Sequence, residues 1–201
     1  MTDSVAAPAP PKYDTFVSYV HRLCQDNRQR AELRRGLGLP VERCNYMHRH
    51  LVPWLRDNDE HGYGDVRRAY YGVASLIAAR PRSARQDNPE DTSANAWHQR
   101  PNLGASLGQA VAKGVLKPNT AESALHLMSR QSSDAVHRSL PALLAQLTGG
   151  GITVDWAILL KDLSWWNRDR DRIATRWLDS YFRTDTGEAD PTTDLPEENK
   201  R

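Results

Sequence analysis

The chain has 201 residues, enough for one domain or two small ones, and its 39% hydrophobic and 26% charged fractions are those of a soluble globular protein. No run approaches the ~20 apolar residues of a membrane span, and the opening, with Asp3 and then Pro-rich APAPPK, is unlike a secretory leader. Cys24 and Cys44 stand apart, which argues against a disulfide framework or a CxxC zinc site, so a cytoplasmic protein without a metal is expected. The formal charge of +2 hides an asymmetry. Segment 184–201 carries six acids against Lys200 and Arg201, leaving 25 basic and 19 acidic residues, net +6, on the rest. Of the 27 cations 22 are Arg, whose planar guanidinium pairs with phosphate oxygens and stacks on bases, although a GC-rich genome raises the Arg share without any functional cause.

Residues 1–12 and 184–201 hold Pro, Gly, Thr and acids with almost no large apolar side chains, a composition that cannot repay ordering entropy, and both are expected to be disordered tails. Between them the apolar spacing is helical throughout and predicts an all-α fold. A first helix is expected over 13–26, with Phe16, Val17, Val20, Leu23 and Cys24 on one face, and a second over 28–35, stopped by the Gly and Pro of GLGLP. From Asp65, expected as the cap, Val66, Ala69, Tyr70, Val73, Ala74 and Ile77 line one face of a strong amphipathic helix. Residues 80–100 are polar, with two Pro and with Arg80, Arg82 and Arg85 close together, and read as a long loop or interdomain linker.

The second half holds short helices near 103–113 and 120–130 and a longer one over 134–147, ended by TGGG. Asp155 is placed to cap a helix whose Trp156, Leu159, Leu160 and Leu163 share a face, and a last helix over 167–182 spaces Ile173, Trp177 and Tyr181 four apart. The expected organisation is thus a tail (1–12), an N-terminal helical domain ending in the polar linker (13–100), a C-terminal helical bundle (101–183) and an acidic tail (184–201).

Site chemistry is sparse. Cys44 and His48 share a face if helical, but His50 points elsewhere and two ligands leave a zinc site incomplete. His126 and His137 have no carboxylate partner in sequence, and GASLG lacks the Lys-Ser/Thr ending of a phosphate loop and reads as close helix packing. Trp156 and Trp166 fall near one apolar face and read as core, with Trp165 rotated about 100° away. No catalytic residue is expected. What remains is Arg at element ends and loops: Arg34 and Arg35, Arg82 and Arg85, Arg130 and Arg138, and Arg168, Arg170 and Arg172. Cations spread this way suit a surface tracking a phosphate backbone better than a pocket reading one base. Arg34 and Arg35 also lie where the helix dipole favours cations, a purely structural reason for them.

Three blocks resemble the CasB family, the small subunit of the type I-E CRISPR Cascade surveillance complex. They are AELRRGLG (Ala31 to Gly38), NLGASLGQAVAKG (Asn102 to Gly114) and VDWAILLKDLSWWNRDRDR (Val154 to Arg172), in the family's order. The resemblance implies two small helical domains and no catalytic activity. It further implies a pair of copies beside the CasC backbone, CasA and CasE, supporting the guide RNA and target DNA hybrid and holding the displaced non-target strand. Arg34 and Arg35 match the family's early Arg pair. The helix before Asp155 departs from it: the family often carries an Arg pair where this chain reads LPALLAQL (Leu140 to Leu147), with Arg130 and Arg138 as neighbouring replacements. The competing expectation is a purely protein-interacting scaffold subunit with negligible affinity for nucleic acid.

Overall fold

The computed structural model describes residues 12–57, 64–80 and 97–185. The described residues are helical with connecting turns and contain no strand. The expected tails lie outside them except at their inner ends, as does most of the expected linker. Eight α-helices are described: α1 (Lys12–Leu23), α2 (Asn27–Arg34), α3 (His48–Asp57), α4 (Asp65–Ala79), α5 (Leu103–Ala112), α6 (Pro118–Ser129), α7 (Ser133–Gly149) and α8 (Trp156–Asp185). Short 3-10 turns lie at Val41–Arg43 and Trp97–Gln99. No helix among them is long and apolar enough to cross a membrane.

Local chemistry sets the helix ends, and in two places it moves an expected boundary. Asp26, expected inside the first helix, instead caps α2: its Oδ1 accepts from the backbone N–H groups of Arg28 at 2.7 Å and Gln29 at 3.0 Å. Those bonds hold its carboxyl below the usual range. At α4 the cap position belongs to Gly64, whose φ of 57° suits a residue without Cβ, and Asp65 sits in the first turn. Asp155 does cap α8 as expected, accepting from Ala157 N–H at 3.1 Å and Ile158 N–H at 3.0 Å.

The last two expected helices form one helical run broken at Asp169, where φ −139° and ψ 31° leave the helical region. The break reverses the chain. In a straight helix Asp162 and Trp177 would be roughly 22 Å apart, yet the Trp177 indole N–H donates to Asp162 Oδ2 at 2.7 Å. Arg176 donates to the other oxygen. The Trp166 and Trp177 rings meet at 4.9 Å between centroids. Both indoles are fully buried, worth on the order of 4 to 6 kcal/mol of transfer free energy apiece as an upper bound. Burial raises the Asp162 carboxyl pKa against the opposing pull of Arg176 and the indole.

The resulting antiparallel arms, 156–168 and 170–185, form the centre of the molecule. Residues 156–160 of the first arm are all buried, not only one face, because α1 and α4 as well as α5 pack on α8. On α5, Gly104 and Gly108 let that helix lie directly against the second arm. A Cβ on Gly104 would run into the Trp177 carbonyl, and one on Gly108 would lie 2.6 Å from Thr184 Cβ and 3.0 Å from the Tyr181 carbonyl. The GASLG segment is therefore a helix-packing surface. The N-terminal helices close over an aromatic cluster in which Phe16 meets Trp54 at 4.9 Å and Tyr70 at 4.5 Å, both edge to face.

Candidate nucleic-acid interface

α2 ends in Arg34 and Arg35, and both side chains are exposed. They border a recess of about 390 Å³ lined by Asn27, Arg30, Ala31, Arg34 and Arg35. The Arg35 guanidinium lies over the ring of Tyr46 at 4.6 Å from its centroid, and Tyr46 is 50% exposed. Tyr46 comes from the irregular stretch after the first 3-10 turn, and sequence periodicity carried no signal for it.

The second group occupies the bend of α8. Arg168, Arg170 and Arg172 are exposed, with Asp169 and Asp171 between them, and Arg170 Nε pairs with Asp171 at 3.2 Å. Positive charge there is thus partly offset within the same turn. Residues 167–171 line a recess of about 290 Å³, and the Arg168 guanidinium lies 5.5 Å from the centroid of Trp165, which is 45% exposed. The adjacent Trp166 is fully buried and donates to the Gln131 carbonyl at 3.1 Å, so the paired tryptophans divide between surface and core.

Arg130, at the end of α6, and Arg138, on α7, are both exposed. Arg82 and Arg85 lie outside the described residues. Arg34 with Arg35 and Arg168 with Arg170 are the nominated residues that share a recess.

Other arginines hold the fold together. Arg30 Nε donates to the Ala78 carbonyl at 2.9 Å and ties α2 to the end of α4. Arg68 pairs with Asp134 at 3.0 Å between α4 and α7. Arg100, expected in a polar linker, is buried between Asp14 and Asp155. A cleft of about 550 Å³ between residues 97–102 and α8 is lined by Lys161, Asp162, Arg176, Asp179 and Arg183 among others. Its acids and cations alternate, and Arg176 is engaged by Asp162, so the cleft is polar and only mildly cationic.

The histidine and cysteine group does not converge. Cys44 is buried, its thiol pushed upward in pKa by burial, and Sγ contacts the Pro40 carbonyl at 3.3 Å. His48 Nδ1 lies 2.9 Å from the Cys44 carbonyl, while His50 Nε2 meets Glu32 Oε2 at 2.7 Å. That contact, with Arg49 and Arg28 nearby, holds the Glu32 carboxyl below its ordinary range. Among the described residues no group of three His, Cys, Asp or Glu is placed to hold a metal ion.

The comparisons with known proteins agree with one another. The family described as CRISPR-associated protein Cse2 matches residues 29–182. A chain of a solved CRISPR RNA-guided surveillance complex is 37% identical, covering 87% of this chain and 93% of its own, with a TM-score of 0.72. A chain of a surveillance complex described as pre-nicking is 40% identical with the same coverage and a TM-score of 0.73. CasB of M. ruber is 25% identical, covering 87% of this chain and 94% of its own, with a TM-score of 0.67. No curated protein matches. An all-helical fold built on a reversed α8, the GASLG packing surface and a family match over most of the chain lead to one conclusion: this chain belongs to the Cse2, or CasB, family of CRISPR-associated proteins.

Proposed function

We propose that the chain is the non-catalytic small subunit of a type I-E Cascade complex, holding nucleic acid by its phosphates without reading bases. In that role it steadies the guide RNA and target DNA hybrid and the displaced strand in antiviral defence. It works in the cytoplasm without a cofactor, beside CasA, CasC, CasE and a second copy of itself. The observation that carries this reading is the division of labour among the arginines. Arg30, Arg68, Arg100 and Arg176 are engaged by carbonyls and carboxylates distant in sequence, whereas Arg34, Arg35, Arg130, Arg138, Arg168, Arg170 and Arg172 face outward, Arg170 pairing with its exposed neighbour Asp171. Arg82 and Arg85 are proposed as further phosphate contacts from sequence alone. Outward guanidinium groups on separate elements match a phosphate backbone, which makes repeated contacts without base identity.

Titrating single-stranded DNA from about 50 to about 200 mM salt tests this: log K falls linearly with the logarithm of the salt concentration, with a slope of about −0.7 per phosphate neutralised. Replacing Arg34 and Arg35 together by Ala weakens all sequences about equally and flattens the slope. A flat plot for the unaltered chain overturns direct contact. A second reading is a scaffold that meets only protein partners, with the same outward arginines facing acidic partner surfaces. It is favoured if the double variant fails to join the other Cascade proteins while the isolated chain shows no salt-dependent binding.

A further inference from the structure

We propose that Tyr46 and Trp165 are stacking platforms for unpaired bases, so that the chain prefers single strands to duplex. The proposal rests on the nucleic-acid reading above and specifies the state of the ligand at the same surface.

Two rings on separate elements share one arrangement. Tyr46 is 50% and Trp165 45% exposed, while Trp156, Trp166 and Trp177 are buried in the core. Each exposed ring carries an arginine at its face, Arg35 at 4.6 Å and Arg168 at 5.5 Å. Each of these arginines also lines a recess, of about 390 Å³ and about 290 Å³ respectively. The rings are held in place: the guanidinium contact positions each one, and the Trp165 indole N–H donates to the Tyr13 hydroxyl at 3.4 Å.

A half-exposed aromatic ring beside an arginine offers what a single strand presents in alternation, a flat base and a phosphate. The guanidinium takes the charge and the ring takes the base, which is tolerant of sequence because every base has a π-face. In a duplex the bases are already stacked, and only the phosphate contact remains.

The test uses the full chain and labelled oligothymidylate, a strand of equal length made of abasic sites, and duplex DNA. Tyr46→Ala and Trp165→Ala are each expected to weaken oligothymidylate binding roughly 5- to 100-fold. Tyr46→Phe and Trp165→Phe, which keep a ring, are expected to retain most of the affinity. The abasic strand and the duplex should bind the unaltered chain more weakly and respond little to the Ala substitutions, and the salt slope should not change. Equal affinity for abasic and normal strands, or Ala variants that bind oligothymidylate as the unaltered chain does, overturns stacking while a preserved salt slope leaves phosphate binding standing. Absence of salt-dependent binding by the unaltered chain overturns both. Unchanged circular dichroism of the Ala variants, expected for exposed rings, separates lost contact from lost fold.

Discussion

Arg100 grips Asp155 through two parallel hydrogen bonds, Nε to Oδ2 at 2.7 Å and Nη2 to Oδ1 at 2.8 Å, and its remaining nitrogen reaches Asp14 at 2.9 Å. The same Asp155 caps α8, so one buried guanidinium joins α1, the segment before α5 and the start of the central helix. Burial raises the Asp14 carboxyl pKa, and the Arg100 contact opposes that rise.

Removing Arg100 leaves two carboxylates without their cation. Arg100→Ala is expected to cost about 3 to 5 kcal/mol in urea unfolding, and Arg100→Lys to recover only part because it lacks the planar fork. A loss under about 1 kcal/mol would mean that water replaces the guanidinium at little cost.

Gly104→Ala and Gly108→Ala should differ although both lie on α5. The added methyl at 104 meets the Trp177 backbone, which cannot yield without moving the second arm of α8. The one at 108 meets mainly the Thr184 side chain near the end of the arm. The expected loss at 104 is about 1 to 3 kcal/mol or more, with a smaller loss at 108, read from thermal unfolding. Equal losses would show that the arm moves as one body.

Arg30 and the Arg34 and Arg35 pair separate stability from binding within one helix. Arg30→Ala removes a bond to the Ala78 carbonyl and should lower stability by roughly 1 to 2 kcal/mol. The double Ala variant at 34 and 35 should stay within about 0.5 kcal/mol of the unaltered chain. Its deficit should appear in nucleic-acid titrations instead. A large melting shift in the double variant would assign those arginines to the fold.

His137 makes the fold sensitive to acid. It is buried at the α4 and α7 interface, its Nδ1 lies 2.9 Å from the Ser133 carbonyl, and its ring fits against Gly72. Burial, with the Arg68 charge beside it, lowers its pKa to about 4, against the opposing effects of the Ser133 carbonyl, Asp134 and Asp65. A lowered folded value means that the unfolded chain binds the proton more readily. The contribution is therefore complete above pH 6.5 and is lost as pH falls from there toward about 4, by about 3 kcal/mol in all. His137→Gln should flatten the stability profile across that window. An unchanged profile would place the acid sensitivity elsewhere, with His21, also lowered to about 4 by burial and Arg80, the next group to replace.

Periodicity carried much of this fold because an amphipathic helix writes its buried face every three to four residues. Phe16, Val17 and Val20, the Val66 to Ile77 face, Trp156 and Trp166 all lie where that spacing puts them. Asp155 was legible as a cap, and GASLG as packing, since both depend on near neighbours and residue size. The family resemblance rested on contiguous blocks, which any sequence shows directly.

Contacts between distant residues had no such signature. Nothing in the spacing distinguishes Arg100, which is spent on Asp14 and Asp155, from Arg34 and Arg35, which face solvent. All three are arginines at the edge of a helical pattern, and only the packing of α1 and of the segment before α5 on the start of α8 brings the acids to one of them. In the same way the adjacent Trp165 and Trp166 differ by one helical step in sequence, but whether that step ends in solvent depends on what packs against it. The chain's own order determined most of the helices, the Asp155 cap and the family. The tertiary structure decided which charges are neutralised inside and which remain outward, because burial and pairing belong to residues 55 and 86 positions apart rather than to neighbours.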